Sequence, residues 1–532
     1  MSNQDAELDE ARNSEPVSIQ PQVNSENVPA STKTHGVGVF FWVLSLIGSR
    51  MGGGIVGMPF ATQNIGFAVT VSIQVVYSMM AIFSMWLLLK VREITGESSL
   101  SGIGLYCYGR ISIFFINILA AIAQLGFPII FFIVFGDVAG GLIDKVNSSG
   151  ISFWSSRWFT HTILAVVMIY LILQKEIHQL RYAGFALLIL ISIFIFLYFI
   201  LYLTTMPHPT TSFDETKLNL KFFGALPTII ASYSVHPSFF TAFSALRNKT
   251  TGNGLITAIM AVVILFSVYV LTPLIAFGVY GPNIKSNMLL NVAGDTGALP
   301  VVLLFLYMAI AVMHIPIIFF VGKEAVLIIF DEATRRSYSR TQVNQYTLGL
   351  PDVLHESEQW LPGDIENHSP EILVLQEEDK EELQDNEEKE SNKGDVGYIQ
   401  DAVKSQSGDV GTTSKSSDSS HPVPTPNQKE YLNMKPLYYY VITIITYASV
   451  VLLSIVIGDV SIFFGIIGSV VSSFMVMAGP GSFYIIAFHK KKSEFDGAKS
   501  ILVYIFAWIL TIIGVSWMVG LTIWVILKAI GF

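Results

Sequence analysis

Long apolar stretches separated by short polar turns recur from Val37 almost to the carboxyl end of the chain. Crossing the hydrocarbon core of a bilayer takes about 17 to 25 apolar residues in a helix. On that measure the pattern predicts spans at 37–62, 66–90, 111–136, 158–174, 182–203, 221–246, 254–280, 299–330, 436–457, 460–488 and 501–528. The expected fold is therefore an all-α polytopic membrane protein with eleven transmembrane helices. Several stretches are longer than the bilayer is thick, so tilted or kinked helices are expected. Two polar segments interrupt the rhythm. Residues 1–35, rich in Ser, Asn, Gln, Glu and Pro, read as a disordered cytosolic tail, and 331–435 as a disordered acidic cytosolic loop carrying the run Glu377–Glu390. Spans one to eight then occupy 36–330 and spans nine to eleven 436–532. The acidic loop reads either as a solvated linker or as a docking site for a regulatory partner.

The first span is unusual inside. Gly52, Gly53, Gly54 and Gly57, followed by Pro59, weaken an uninterrupted helix. A helix broken at membrane depth survives only where protein or a water-filled cavity satisfies its freed backbone groups, which makes this segment a candidate binding site. Close helix packing through small residues is the other reading. The sixth span repeats the interruption, with Pro227 and Pro237 around the polar cluster Ser232, Tyr233, Ser234 and His236. With five spans per half the second half enters the membrane inverted, and matched breaks in spans one and six mark a transporter binding site. Spans three and eight correspond more weakly, through Gln124 with Pro128 and His314 with Pro316.

A half-helix ending at the midplane presents bare N–H groups at its positive amino end and bare carbonyls at its negative carboxyl end. An amino acid carries both complementary charges. Its carboxylate is expected on the amides around Gly53, Gly54 and Ile55, and its ammonium on carbonyls or hydroxyls near Ser232, Tyr233 and Ser234, with Gly52 completing the glycine surface. Arg50 is a cation within a span, at a cost on the order of 2.5 to 3.5 kcal/mol on insertion scales. It is expected to face the carboxyl end of the first half-helix, the alternative being a side chain that snorkels to water. His314 reads as a proton-linked residue or a packing histidine, and His236 as a partner for freed backbone groups. Gln124, Tyr307 and Ser473 line the pocket or bind neighbouring helices. Lys323 and Glu324, near the cytosolic end of span eight, read as a gate or an interfacial anchor.

These segments resemble the amino acid/auxin permease family, within the wider amino acid, polyamine and organocation transporters. Gly52-Gly-Gly-Ile-Val-Gly-Met-Pro-Phe-Ala61 is similar to the family's first-span pattern and Ser232-Tyr-Ser-Val-His-Pro237 to its sixth-span pattern. Ile315-Pro-Ile-Ile-Phe-Phe320 and Pro480-Gly-Ser-Phe-Tyr484 resemble motifs of its eighth and tenth spans. The resemblance implies a five-plus-five inverted repeat with helices 1 and 6 broken, and movement of amino acids by alternating access. In sodium-coupled members resembling solute carrier family 38, an Asn and a Thr help hold sodium; the corresponding positions here are Gly48 and His314. Glycine brings no oxygen and imidazole suits a hard cation poorly. A coupling proton is therefore expected over sodium, with His314 as its carrier and Arg50 as the compensating charge.

Lys and Arg in the short loops place the amino terminus in the cytosol and the carboxyl terminus on the opposite side, in a vacuolar, lysosomal or plasma membrane. Possible glycosylation acceptors, Asn147 and Asn248, fall on opposite sides and do not discriminate. The net charge of −9 owes much to the acidic loop and gives no support for nucleic-acid binding. Cys107 is the only cysteine, so neither an internal disulfide nor a thiolate metal cluster is expected, and no cofactor. No His-Glu-x-x-His helix or nucleophile elbow supports an enzyme. An amino-acid sensor remains the alternative to a transporter. The expected partners are thus an amino acid, a proton and membrane lipids.

Overall fold

The structure is a computed structural model that describes residues 39–48, 50–146, 153–175, 180–205, 220–244, 246, 249–340, 430–491 and 498–530. The tail at 1–35, the acidic run at 377–390, Asn147 and Asn248 lie outside the described residues.

The first span is two helices, α1 (Val39–Gly48) and α2 (Met51–Ile65), bent by 50° at a break that includes Arg50. The break precedes the glycines instead of falling among them: Gly52, Gly53, Gly54 and Gly57 are helical, and Pro59 lies inside α2. Proline removes one donor from the helical ladder. The donor it lacks is the one for the Ile55 carbonyl; at the next position the Met288 amide donates to the Val56 carbonyl at 3.4 Å.

α3 (Phe67–Thr95) ends at Gly96, whose φ of 75° supplies the left-handed cap that glycine adopts freely. A short helix absent from the hydropathy pattern follows, α4 (Leu100–Tyr108), started by Ser99, whose Oγ accepts the Gly102 amide at 2.9 Å. Next come α5 (Ile111–Val146), α6 (Arg157–Leu173) and α7 (Leu180–Thr205). The sixth span is again two pieces, α8 (Lys221–Ser232) and α9 (His236–Ser244), with Tyr233, Ser234 and Val235 unwound between them. Pro237 sits in the first turn of α9, where a missing donor costs nothing. α10 (Thr251–Tyr280), α11 (Leu289–Gly294) and α12 (Ala298–Thr334) complete this part. After the loop come α13 (Pro436–Val456), then α14 (Val460–Ile466) running through a π-helical Ile467–Ala478 into α15 (Gly479–Lys490), and α16 (Ala498–Ala529).

Eight helical stretches among the described residues are long and apolar enough to cross a membrane, and the bent first pair makes nine. α6 and the α8–α9 pair stand where the fourth and sixth spans are expected, and each piece is shorter. α2 packs on α8, α3 on α10, and α5 on α12. Spans one, two and three thus each meet the span five places later, as halves related by a pseudo-two-fold axis do. On the outside, Val166 and Tyr170 of α6, Phe196 of α7, Ile445 of α13 and Ile512 of α16 are exposed, an apolar face suited to lipid.

α12, the eighth span, runs past the expected boundary at 330. Asp331 and Glu332 are buried and ion-paired, Asp331 to Arg335 and Glu332 to Arg110 at 2.6 Å, and the Ser339 hydroxyl donates to Glu332 at 2.7 Å. Lys323 is held at the end of α6. Its Nζ donates to the carbonyls of Ile172 at 2.9 Å and Gln174 at 2.6 Å, capping the carboxyl end of α6. At the other end of the molecule Arg157 and Asn287 both bind Asp137, at 3.0 and 2.9 Å.

Candidate functional site between two helix breaks

At the first break the Arg50 amide turns back to the Ile47 carbonyl at 2.9 Å. Met51 and Gly52 open α2, and the first amides of a helix have no carbonyl partner within that helix. Because the break falls before the glycines, the bare amides expected at Gly53, Gly54 and Ile55 move back along the chain. In the helical pattern Gly54 and Ile55 bond to the carbonyls of Arg50 and Met51.

At the second break the amides of Tyr233 and Ser234 make tight turns onto Ile230 and Ala231, at 3.3 and 3.1 Å. The Ser232 side chain bonds back to the Thr228 carbonyl at 2.8 Å, so it serves its own helix. Ser234 Oγ is buried and unpartnered. One hydroxyl joins the two breaks: Tyr269 of α10 donates to the Arg50 carbonyl at 3.1 Å and lies 3.3 Å from the Ser232 carbonyl. The amino end of α2 and the carboxyl end of α8 therefore lie within two hydrogen-bond lengths of each other.

Arg50 itself is 0 % exposed. Its Nη2 donates to Gln124 Oε1, its Cζ lies 4.8 Å from the Phe127 ring centre, and Nε and Nη1 have no partner. It therefore neither snorkels to water nor hydrogen-bonds the end of α1 through those two nitrogens. Gln124 passes the contact on, its amide donating to Ser238 of α9 at 2.9 Å, so a polar chain links the first break to spans three and six. Tyr307 donates to the Gly52 carbonyl at 2.7 Å, directly at the break. His314 stacks on Phe131 at 4.6 Å, and its Nδ1 lies 2.9 Å from the Ile310 carbonyl. A carbonyl only accepts, so the tautomer protonated on Nδ1 satisfies this contact and leaves Nε2 buried without a hydrogen bond.

Two expected site residues have other duties. His236 bonds through Nε2 to Ser84 Oγ at 2.6 Å, a side chain of α3, and not to freed backbone. Ser473 bonds back to the Gly468 carbonyl of its own π-helical turn at 3.2 Å. The glycines of α2 also serve packing. A Cβ on Gly52 would meet the His314 and Phe131 rings at 2.9 Å, on Gly53 the Phe127 ring at 3.0 Å, on Gly54 the Tyr269 ring at 2.5 Å, and on Gly57 the Phe464 ring at 2.8 Å. Rings of neighbouring helices, not open space, fill the glycine faces.

Tyr269 and Gln74 meet the residues of the two breaks and were missed by the sequence reading. Gln74 accepts from the Tyr233 hydroxyl at 2.9 Å and donates to the Tyr269 carbonyl at 3.2 Å. Both are polar side chains in spans two and seven, counterparts in the two halves. That correspondence was their signal.

The chain matches the family described as "Transmembrane amino acid transporter protein" over residues 35–527. It is 24% identical over 291 residues to a sodium-coupled neutral amino acid transporter 7 of Xenopus laevis, covering 53% of this chain and 64% of that one. It is 24% identical over 310 residues to the amino acid transporter AVT6C of Arabidopsis thaliana, covering 53% of this chain and 68% of that one. To AVT6B of the same plant it is 22% identical over 382 residues, covering 67% of this chain and 83% of the relative. The first of these alignments thus spans under two thirds of its relative. A solved manganese transporter of Eremococcus coleocola superposes with a TM-score of 0.40 at 11% identity, over 92% of this chain and 94% of that one, too distant to carry inference. These relatives are named as transporters, not as enzymes. By the match along nearly its whole length, this chain is a member of the transmembrane amino acid transporter family.

Proposed function

We propose that the protein is a secondary transporter that moves amino acids across a membrane by alternating access, coupled to a proton. The observation that carries this reading is the Tyr269 hydroxyl held between the carbonyls of Arg50 and Ser232, which sets a helix amino end beside a helix carboxyl end in the membrane interior. An amino acid's carboxylate and ammonium match those two ends. In this reading eleven spans cross the membrane, the amino terminus and the acidic loop face the cytosol, and the carboxyl terminus lies on the other side.

His314 is the proposed proton carrier, since its ring lies in the protein interior beside Gly52 with Nε2 buried and without a hydrogen bond. Arg50 is a fixed cation at the first break, in place of a bound metal ion. Gly48, at the position of a sodium-site asparagine in the relatives it resembles, offers no side-chain oxygen, and a Cβ there would meet only the Gly184 backbone, at 3.7 Å. The test is uptake of labelled amino acids into proteoliposomes with imposed gradients. A proton gradient is expected to drive uptake in the absence of sodium. Uptake driven by sodium alone would contradict the coupling.

A further inference from the structure

We infer that the site takes an amino acid with a second carboxylate, whose charge is met by Arg50; the inference rests on the transporter reading above and names its substrate class. Arg50 is wholly buried, with Nε and Nη1 free of partners and Nη2 on a neutral amide. No ion pair to Arg50 forms among the described residues, where Asp137, Asp331 and Glu332 pair with arginines at the ends of the bundle. The sequence makes the point for the whole membrane domain. Within the eleven predicted spans the only acidic residue is Glu324, close to the cytosolic end of the eighth. Among the described residues, therefore, no carboxylate supplies a counter-charge at the break.

A buried guanidinium without an anion is strongly disfavoured, so the anion comes with the ligand. A zwitterion does not provide it. Its carboxylate is matched by the amino end of α2, its ammonium by the carbonyl end of α8, and its net charge is zero. One further negative group neutralises Arg50. A side-chain carboxylate does this within one molecule, and the guanidinium is the side chain best suited to bind it.

The test uses the full-length chain in liposomes and compares labelled glutamate with labelled glutamine, nearly the same shape with a carboxylate exchanged for a carboxamide. In halide-free buffer at one pH, wild-type protein is expected to take up glutamate at least tenfold faster at limiting concentration. Arg50→Lys is expected to keep the preference, and Arg50→Gln to reduce the ratio at least tenfold. Equal uptake of the two, or preference for glutamine, overturns the inference. So does glutamine uptake that appears only with chloride, which would assign the counter-charge to a halide. The wild-type ratio decides the matter even where a variant fails to fold. Uptake confined to neutral amino acids removes this inference and leaves the transporter reading standing, whereas no uptake of any amino acid removes both.

Discussion

Tyr269 is where small changes in the centre are felt most directly. Its ring occupies the space beside Gly54, and its hydroxyl holds the carbonyls of both breaks. Gly54→Ala puts a methyl 2.5 Å from that ring, an overpacking that costs about 1 to 3 kcal/mol and displaces the tyrosine. Gly48→Ala meets nothing nearer than 3.7 Å and serves as the control. The expected outcome is a lower melting temperature and impaired uptake for Gly54→Ala only; equal behaviour of the two variants would contradict the packing described. His314→Gln keeps a polar side chain but cannot carry a proton. It is expected to lose at least tenfold of proton-driven uptake while exchange of substrate across the membrane persists. Retained proton stimulation would dismiss His314 as the carrier.

Breaks were visible in the sequence as elements, though not to the residue. Proline and polar clustering located the unwound Tyr233–Val235 stretch closely, because Pro227 and Pro237 bracket it and a helix restarts readily at a proline. In the first span the glycines misplaced the break. Helix-weakening residues stay helical in α2 because Phe127, Phe131, Phe464 and Tyr269 pack onto their bare faces, a tertiary effect no local propensity contains. α4 escaped notice because nine residues are too few for a hydropathy signal, although Ser99 and Gly109 bound it as caps do. The π-helical turn at Ile467–Ala478 left no readable sign at all. It presses Gly468 against the Pro227 backbone carbonyl of α8, so Gly468→Ala has no flexible neighbour to displace. That variant is expected to fold poorly, measured as monodisperse yield in detergent, whereas a full yield would contradict the contact. At one end of the bundle, Arg110 and the buried Glu332 join α12 to the start of α5. A double-mutant cycle of Arg110→Ala and Glu332→Gln is expected to show a coupling of about 1 kcal/mol in thermal stability, and simple additivity would show that the pair does not hold the two helices.

For the molecule as a whole, the hydrophobic rhythm alone gave the membrane class, because a bilayer demands long apolar helices and leaves little freedom. The matched breaks gave the five-plus-five arrangement, since Pro and polar residues at membrane depth are costly wherever they lack a purpose. What the sequence withheld were contacts between distant spans: Tyr269 on Arg50 and Ser232, Gln124 on Ser238, Lys323 on the end of α6. None follows from spacing along one helix. The central claim is that two helix ends meet to form one site that opens alternately to either side. Counterflow tests it most directly, with purified protein in liposomes loaded with an unlabelled amino acid and a trace of the labelled one outside. The account predicts transient, saturable accumulation of label above the equilibrium level, absent from protein-free liposomes and independent of any ion gradient. Saturable binding of the amino acid without counterflow would contradict it and mark the protein as a sensor.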